Sequence, residues 1–234
     1  MTGTDTGVGK TILAAAILAA LVARGHPVRA CKPVITGLSQ APDPPWPHDH
    51  ELLALAAGGP ADQVALRTYG AAASPHLAAA LEGEPIEPAA LDTQIRAAAR
   101  QGELLVVEGV GGLLVPLADG YDVRALARDL GLAVLIAARP GLGTINHTLL
   151  TLEAARGAGL KVAAVVLTPW PTVASRIERS NRETIERLGS VPVATLPHVA
   201  RPERRLLAAA GEWLPLERLL VASGACRSSS GRVS

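Results

Sequence analysis

Four groups in this chain have chemistry that depends on where they stand. Gly3–Thr11 reads GTDTGVGKT. Its last residues, Gly9, Lys10 and Thr11, have the logic of a phosphate-binding loop. Glycine lets backbone N–H groups approach phosphate oxygens, the lysine reaches the β- and γ-phosphates, and the threonine hydroxyl suits Mg²⁺. Five residues separate Gly3 from Gly9, one more than the usual spacing. Leu104–Gly112 reads LLVVEGVGG. Here an apolar run ends on Glu108, the position of an acid facing a nucleotide's metal. Lys32 follows the apolar run Val28–Cys31 and precedes Pro33, which favours extended backbone at Lys32. Its ammonium is thereby delivered to a ligand crevice, where it suits a transferring phosphoryl group or a carboxylated substrate. Asp49 lies between His48 and His50 at the start of a helical stretch. The H-x-H spacing alone is a weak zinc signal, so Asp49 reads as a hard oxygen ligand for Mg²⁺ and the two histidines as solvent-exposed.

Such groups need elements to hold them. Val28–Cys31, Leu104–Glu108, Ala133–Ala137, Val162–Leu167 and Val191–Thr195 read as buried strands, mostly apolar on both faces. Thr11–Arg24, Pro88–Arg100, Val123–Leu130, Gly143–Ala158 and Thr172–Leu188 read as helices. The alternation predicts an α/β fold, an open, mostly parallel sheet with helices on both faces, and ligands beyond the strands' C-terminal ends. Residues 38–50 are proline-rich and read as loop, as do residues 58–75, with Ser74-Pro75 starting a short helix. One domain is expected over residues 1–223, and residues 224–234 read as a frayed tail. A phosphate loop follows a strand, yet only Met1 and Thr2 precede Gly3. About five further strand residues are expected upstream, from ordinary strand length, and restoring them is expected to improve solubility and thermal stability.

Composition narrows the function. With 22 basic and 21 acidic residues the net charge is +1, which argues against nucleic acid or an anionic membrane as the main partner. Only Lys10, Lys32 and Lys161 are lysines, so a compact ammonium in two of the motifs reads as chosen over arginine. Two cysteines, Cys31 and Cys226, cannot build a secreted disulfide framework. The apolar run Thr11–Ala23 follows GTDTGVGK, an atypical n-region for a signal peptide, and is too short to span a bilayer. A cytoplasmic protein is expected.

The order and spacing of GTDTGVGKT, KPVITG, VEGVGG and GLGTINHTLLTLEAARGAGL resemble dethiobiotin synthetase over roughly residues 3–200. The longer loop is itself characteristic of that family. The resemblance implies a P-loop NTPase-like fold and an ATP- and Mg²⁺-dependent cyclo-ligase of biotin synthesis. Such an enzyme joins CO₂ to 7,8-diaminononanoate and releases ADP and phosphate. By position it makes Thr11, Asp49 and Glu108 the metal ligands and Lys32 the catalytic lysine, acting with Lys10 and Thr6. It puts the nucleotide on Gly7, Val8, Gly9, Lys10, Thr11, Ile12 and on Glu108, Gly109, Val110, Gly111. It assigns substrate contacts to Thr36 and to Leu142, Gly143 and Asn146, the last three donated across a homodimer interface. At Gly143–Asn146 a helix start offers free N–H groups that suit a carboxylate.

The chain departs from the family at three places. Thr36 stands where serine is frequent, which keeps the hydroxyl. Gly7 stands where glutamate is frequent, which removes a side chain. Thr168-Pro169 stands where an asparagine commonly reads adenine, and neither residue offers an amide's donor and acceptor pair. Base readout then falls to Pro197, His198 and Val199, with Glu203 nearby, and weak discrimination among nucleoside triphosphates is expected. Two other readings share parts of the pattern. Cobyrinic acid diamide synthases carry a glutaminase domain for which 234 residues leave no room. Partition and septum-site ATPases carry an extra lysine early in the loop, where this chain has Gly3-Thr4-Asp5-Thr6.

Overall fold

Strand residues alternate between two cores, and that alternation sets the architecture of the computed structural model, which describes residues 1–98 and 102–223. In strand β7 (Val134–Ala138), Ala137 faces one helical layer while Ile136 and Ala138 face the other. In β8 (Val162–Trp170), Val166 faces the first layer and Val165 and Leu167 the second. A strand buried on both faces needs a helix on each side.

The first layer holds α1 (Lys10–Ala23), α2 (Asp49–Ala57), α8 (Arg204–Gly211) and α9 (Leu216–Ser223). The second holds α4 (Pro88–Ala98) and α5 (Val123–Leu130) at one end, and α6 (Thr144–Gly157) and α7 (Arg176–Gly189) at the other. Helix α3 (Pro75–Glu82) packs with α4 and α5. Helix α1 is buried from Leu13 to Leu21, and its alanines let α8 approach closely. A Cβ on Gly211 would stand 2.3 Å from the Ala16 carbonyl oxygen and 2.7 Å from Ala20 Cβ.

The sheet is parallel and runs in two registered parts. One is β3 (Ala65–Thr68), β2 (Val28–Ile35), β4 (Leu104–Val107), and the other is β1 (Thr2–Gly3), β7, β8, β9 (Val193–Pro197). Met1 joins them. Its amine donates to Val107 O at 2.6 Å, its carbonyl accepts from Gly109 N at 2.9 Å, and Gly3 bridges to Gly112. Behind Met1, a cavity of about 260 Å³ opens between β4 and β7, lined by Leu105, Val107, Leu132, Leu135 and α9's Leu219 and Leu220. A short hairpin, β5 (Pro116–Ala118) and β6 (Tyr121–Asp122), completes the strands.

The expected α/β class holds, and several boundaries move. Strand β2 does not stop at Cys31 but runs to Ile35, so Lys32 lies within it. Lys32 N donates to Val64 O on the β3 side, which points residue 33 toward β4. There the pairing ends with Glu108 N on Cys31 O, so a proline without an N–H loses nothing. Strand β8 likewise runs on to Trp170, pairing with Pro197. Helix α7 starts at Arg176 rather than Thr172, because Ser175 caps it: its hydroxyl accepts from Glu178 N. Strand β3, the hairpin, α8 and α9 have no counterpart in the sequence reading. The expected tail at 224–234 and the end of the helix drawn to Arg100 lie outside the described residues. No helix among the described residues is long and apolar enough to cross a membrane.

Candidate active site

The site is assembled where β1, β2 and β4 end. Strand β1 feeds the loop Thr4–Gly9, and α1 begins at Lys10. Gly9 is the residue on which the loop turns into the helix. Its φ is +87°, and a Cβ there would meet Thr168 Cγ2 at 2.9 Å, so both backbone and space demand glycine. No side chain caps α1, which leaves its first N–H groups and positive dipole end open to an anion. Lys10 folds back over the loop and donates to Asp5 O at 2.9 Å. Burial, helped by the nearby Lys32 charge and opposed by Glu108, lowers its pKa from the usual lysine value. Asp5 also accepts from Thr6 N at 2.7 Å.

Four predicted residues meet beside this loop. Glu108, just past β4, is 1% exposed. Its Oε1 accepts from Lys32 Nζ at 2.8 Å and from Thr11 Oγ1 at 2.8 Å. Lys32 reaches it from mid-β2 and also donates to Asp49 Oδ2, on the first residue of α2. Burial opposes the Lys32 charge, but Glu108 and Asp49 outweigh it and hold the pKa above the usual lysine value. Asp49 mirrors this: burial pushes its carboxyl up, and Lys32, with a Thr11 hydrogen bond, brings it below the ordinary range. Glu108 Oε2 is buried with no protein partner among the described residues. One hydroxyl and two carboxylates with an unclaimed buried oxygen form the hard oxygen set that Mg²⁺ takes. No cluster of three or more histidine, cysteine, aspartate or glutamate side chains suited to a metal occurs among the described residues. His48 and His50 are half-buried rather than exposed, with ring centroids 6.0 Å apart, because Trp46–His50 packs down to start α2.

The other predicted residues fall around this centre. Thr6 and Gly7 are exposed on the loop's rim, while Val8 is buried beneath it and Ile12 half-buried in the first turn of α1. Gly109 and Gly111 are buried and Val110 half-buried after Glu108. A Cβ on Gly111 would come 3.4 Å from Thr6 Oγ1. Thr36 follows β2, half-buried. Thr168 is 2% exposed and packs under Gly9, so its side chain shapes the loop. Pro169 and His198 are exposed and Pro197 half-buried, whereas the Val199 side chain is in the α1 core. Leu142, Gly143 and Asn146 are exposed where α6 begins, and no side chain caps that helix.

Two residues escape the sequence reading. Asn181 of α7 is 7% exposed, and its amide donates to Pro140 O at 3.0 Å and Gly141 O at 3.1 Å. It clamps the turn from which Leu142 and Gly143 project. Arg139, directly after β7, donates to Thr6 O at 3.3 Å. Its signal is present in the sequence, since it is a charged residue at a strand's C-terminal end. Asn181 gives none, because nothing local marks a mid-helix asparagine as a clamp.

Known proteins are similar to this chain over most of its length. A family model described as an AAA domain matches residues 1–202. The ATP-dependent dethiobiotin synthetase BioD of Haloferax mediterranei is 37% identical over 93% of this chain and 91% of its own length. Its counterpart in Mycobacterium avium is 42% identical over 84% and 85%, and that in Aquifex aeolicus 35% over 85% and 88%. Among solved structures, an ATP complex of a Cyanothece McdA variant covers 96% of each chain at 13% identity and a TM-score of 0.49. With a P-loop NTPase fold, an elongated phosphate loop and relatives of this identity over nearly full length, the chain belongs to the ATP-dependent dethiobiotin synthetase family.

Proposed function

We propose that the chain closes the ureido ring of dethiobiotin on 7,8-diaminononanoate, using CO₂ and ATP with Mg²⁺. The observation that carries this reading is the convergence of Lys32, Glu108, Asp49 and Thr11 beside an open phosphate loop.

The chemistry brings anions together. One amine takes up CO₂ and loses a proton, giving a carbamate. A carbamate oxygen attacks the γ-phosphorus, and the bond to ADP breaks. The second amine then attacks the carbonyl carbon of this mixed anhydride, the carbon–oxygen bond to phosphate breaks, phosphate leaves, and the amine's proton passes to solvent. The chain's part is to offset charge at fixed points. Lys32 has three N–H donors, of which Glu108 and Asp49 take two, so the third is available to the carbamate or to the transferring phosphoryl group. Lys10 exchanges the Asp5 carbonyl for the β- and γ-phosphates. Thr11, Asp49 and Glu108 would hold Mg²⁺, which would supply positive charge against the triphosphate. Thr6 and Thr36 supply hydroxyls facing the diamine.

The uncapped start of α6 suits the substrate carboxylate, supplied from a second copy in a homodimer. Support comes from Leu142, an apolar side chain directly before that helix start that is 88% exposed. The test is ATP turnover with each substrate omitted in turn. ADP release requiring both the diamine and bicarbonate, with dethiobiotin detected by mass, supports the reading. ATP hydrolysis indifferent to the diamine contradicts it.

A further inference from the structure

We propose that Arg139 is the third cation of the triphosphate site and sets its preference for triphosphate over diphosphate by contacting the γ-phosphate. The proposal deepens the functional reading above and rests on the loop it assigns to ATP.

Three observations carry it. First, Arg139 follows the last residue of β7, the strand beside β1, so its side chain emerges at the same sheet end as the loop. Its Nη2 donates to Thr6 O at 3.3 Å and lies 3.5 Å from where a Cβ on Gly7 would stand. A guanidinium thus covers the rim of the loop at the point where the chain carries no side chain. Second, Arg139 has no carboxylate partner among the described residues. Lys32, by contrast, is held between two carboxylates. A guanidinium offers five donors, and this one directs a single donor at a neutral carbonyl, so its charge is uncompensated. Third, the mount is rigid. Asn181 fixes the carbonyls of Pro140 and Gly141, the two residues that follow, so Arg139 stands on a clamped turn.

Position selects the γ-phosphate. The C-terminal side of the loop, Gly9–Thr11, carries the uncapped α1 start, is backed by Thr168, and sends Lys10 to the β- and γ-phosphates from one side. Thr6 and Gly7 form the opposite, exposed rim beside Gly111. That rim faces the end of the triphosphate that meets the substrate. Planar guanidinium matches phosphate oxygens in a bidentate fork that an ammonium cannot reproduce.

Titration calorimetry without diamine or bicarbonate tests this on wild type, Arg139→Ala and Arg139→Lys, using the Mg²⁺ complexes of AMP-PNP and ADP. Arg139→Ala is expected to weaken AMP-PNP about tenfold, the scale of one charge-assisted contact, and ADP less than about twofold. The AMP-PNP loss should shrink with added salt, because the group is exposed, and Arg139→Lys should recover part of it. Thermal unfolding should not move. Unchanged AMP-PNP binding overturns the proposal, and so does an equal loss for both nucleotides, which would mean a distorted loop. Binding without the diamine is independent of ring closure, so failure here leaves the diamine-dependent turnover to be judged separately.

Discussion

Removing the Lys32 ammonium while keeping its bulk, as in Lys32→Met, isolates what the buried charge cluster contributes to the fold. The lysine side chain is 5% exposed and Glu108 1%, whereas Asp49 is 46% exposed. Asp49 can turn to water, so its share of the loss is small. Glu108 cannot. It keeps Thr11 on Oε1, and Oε2 already has no protein partner among the described residues. Stranding a buried charge in this way costs about 3–5 kcal/mol, and the hydroxyl left on Glu108 places the expectation near ~3 kcal/mol. Adding Glu108→Gln removes the stranded charge and keeps an acceptor for Thr11, so the double variant should recover about 2 kcal/mol of that loss. The assay is urea unfolding in EDTA without nucleotide. At a slope of about 2 kcal/mol per molar, Lys32→Met should lower the midpoint by roughly 1.5 M, and the double variant by about 0.5 M. A single variant within about 0.5 kcal/mol of wild type, or a double variant less stable than the single, would refute the view that Lys32 chiefly neutralises Glu108.

Gly211→Ala forces a methyl to 2.3 Å from the Ala16 carbonyl. Overpacking of this kind costs about 1–3 kcal/mol and should lower Tm by roughly 2–12 °C, with turnover at 25 °C intact. Burial pushes the Cys31 thiol up to about 12 from 9.0. In a Cys226→Ser background, a disulfide reagent at pH 8 should therefore react at least ~100-fold more slowly with folded than with urea-unfolded protein. The same raised pKa makes this group erode stability as pH climbs past 9, where only the unfolded chain gives up the proton. Since Thr168 packs under Gly9 and Pro169 has no N–H, turnover should be comparable with ATP, CTP and GTP. A preference for ATP above roughly a hundredfold would reveal a base-pairing group elsewhere.

The chemistry of this site is legible in the sequence because it is local. GTDTGVGKT places a glycine, a lysine and a threonine in an order whose function follows from backbone geometry, and Glu108 declares itself by ending an apolar run. Asp49 and Lys32 are legible as candidates, but their meeting at Glu108 is not, since it depends on β2 lying between β3 and β4. The extent of β2 is hidden by Pro33. Proline usually ends a strand, and only the early end of β4 makes it harmless here. Edge strand β3 goes unseen because Ala65–Arg67 are half-buried and Thr68 exposed, with no alternation between faces. Helices α8 and α9 go unseen because each is only 8 residues long, about two turns, too short for a helical repeat to stand out. Arg139 lies far from the loop in sequence and reaches it only because β7 pairs with β1, and Asn181 meets the turn after Arg139 from a helix some 40 residues on.

The central claim is that this site turns a carbamate into a mixed anhydride with phosphate before the ring closes. Mass spectrometry of the phosphate released from freshly dissolved ¹⁸O-labelled bicarbonate, diaminononanoate, ATP and Mg²⁺ tests it most directly. The account predicts one ¹⁸O atom in each phosphate formed alongside dethiobiotin, because the bridging oxygen comes from the carbamate. Unlabelled phosphate accompanying labelled dethiobiotin would contradict it.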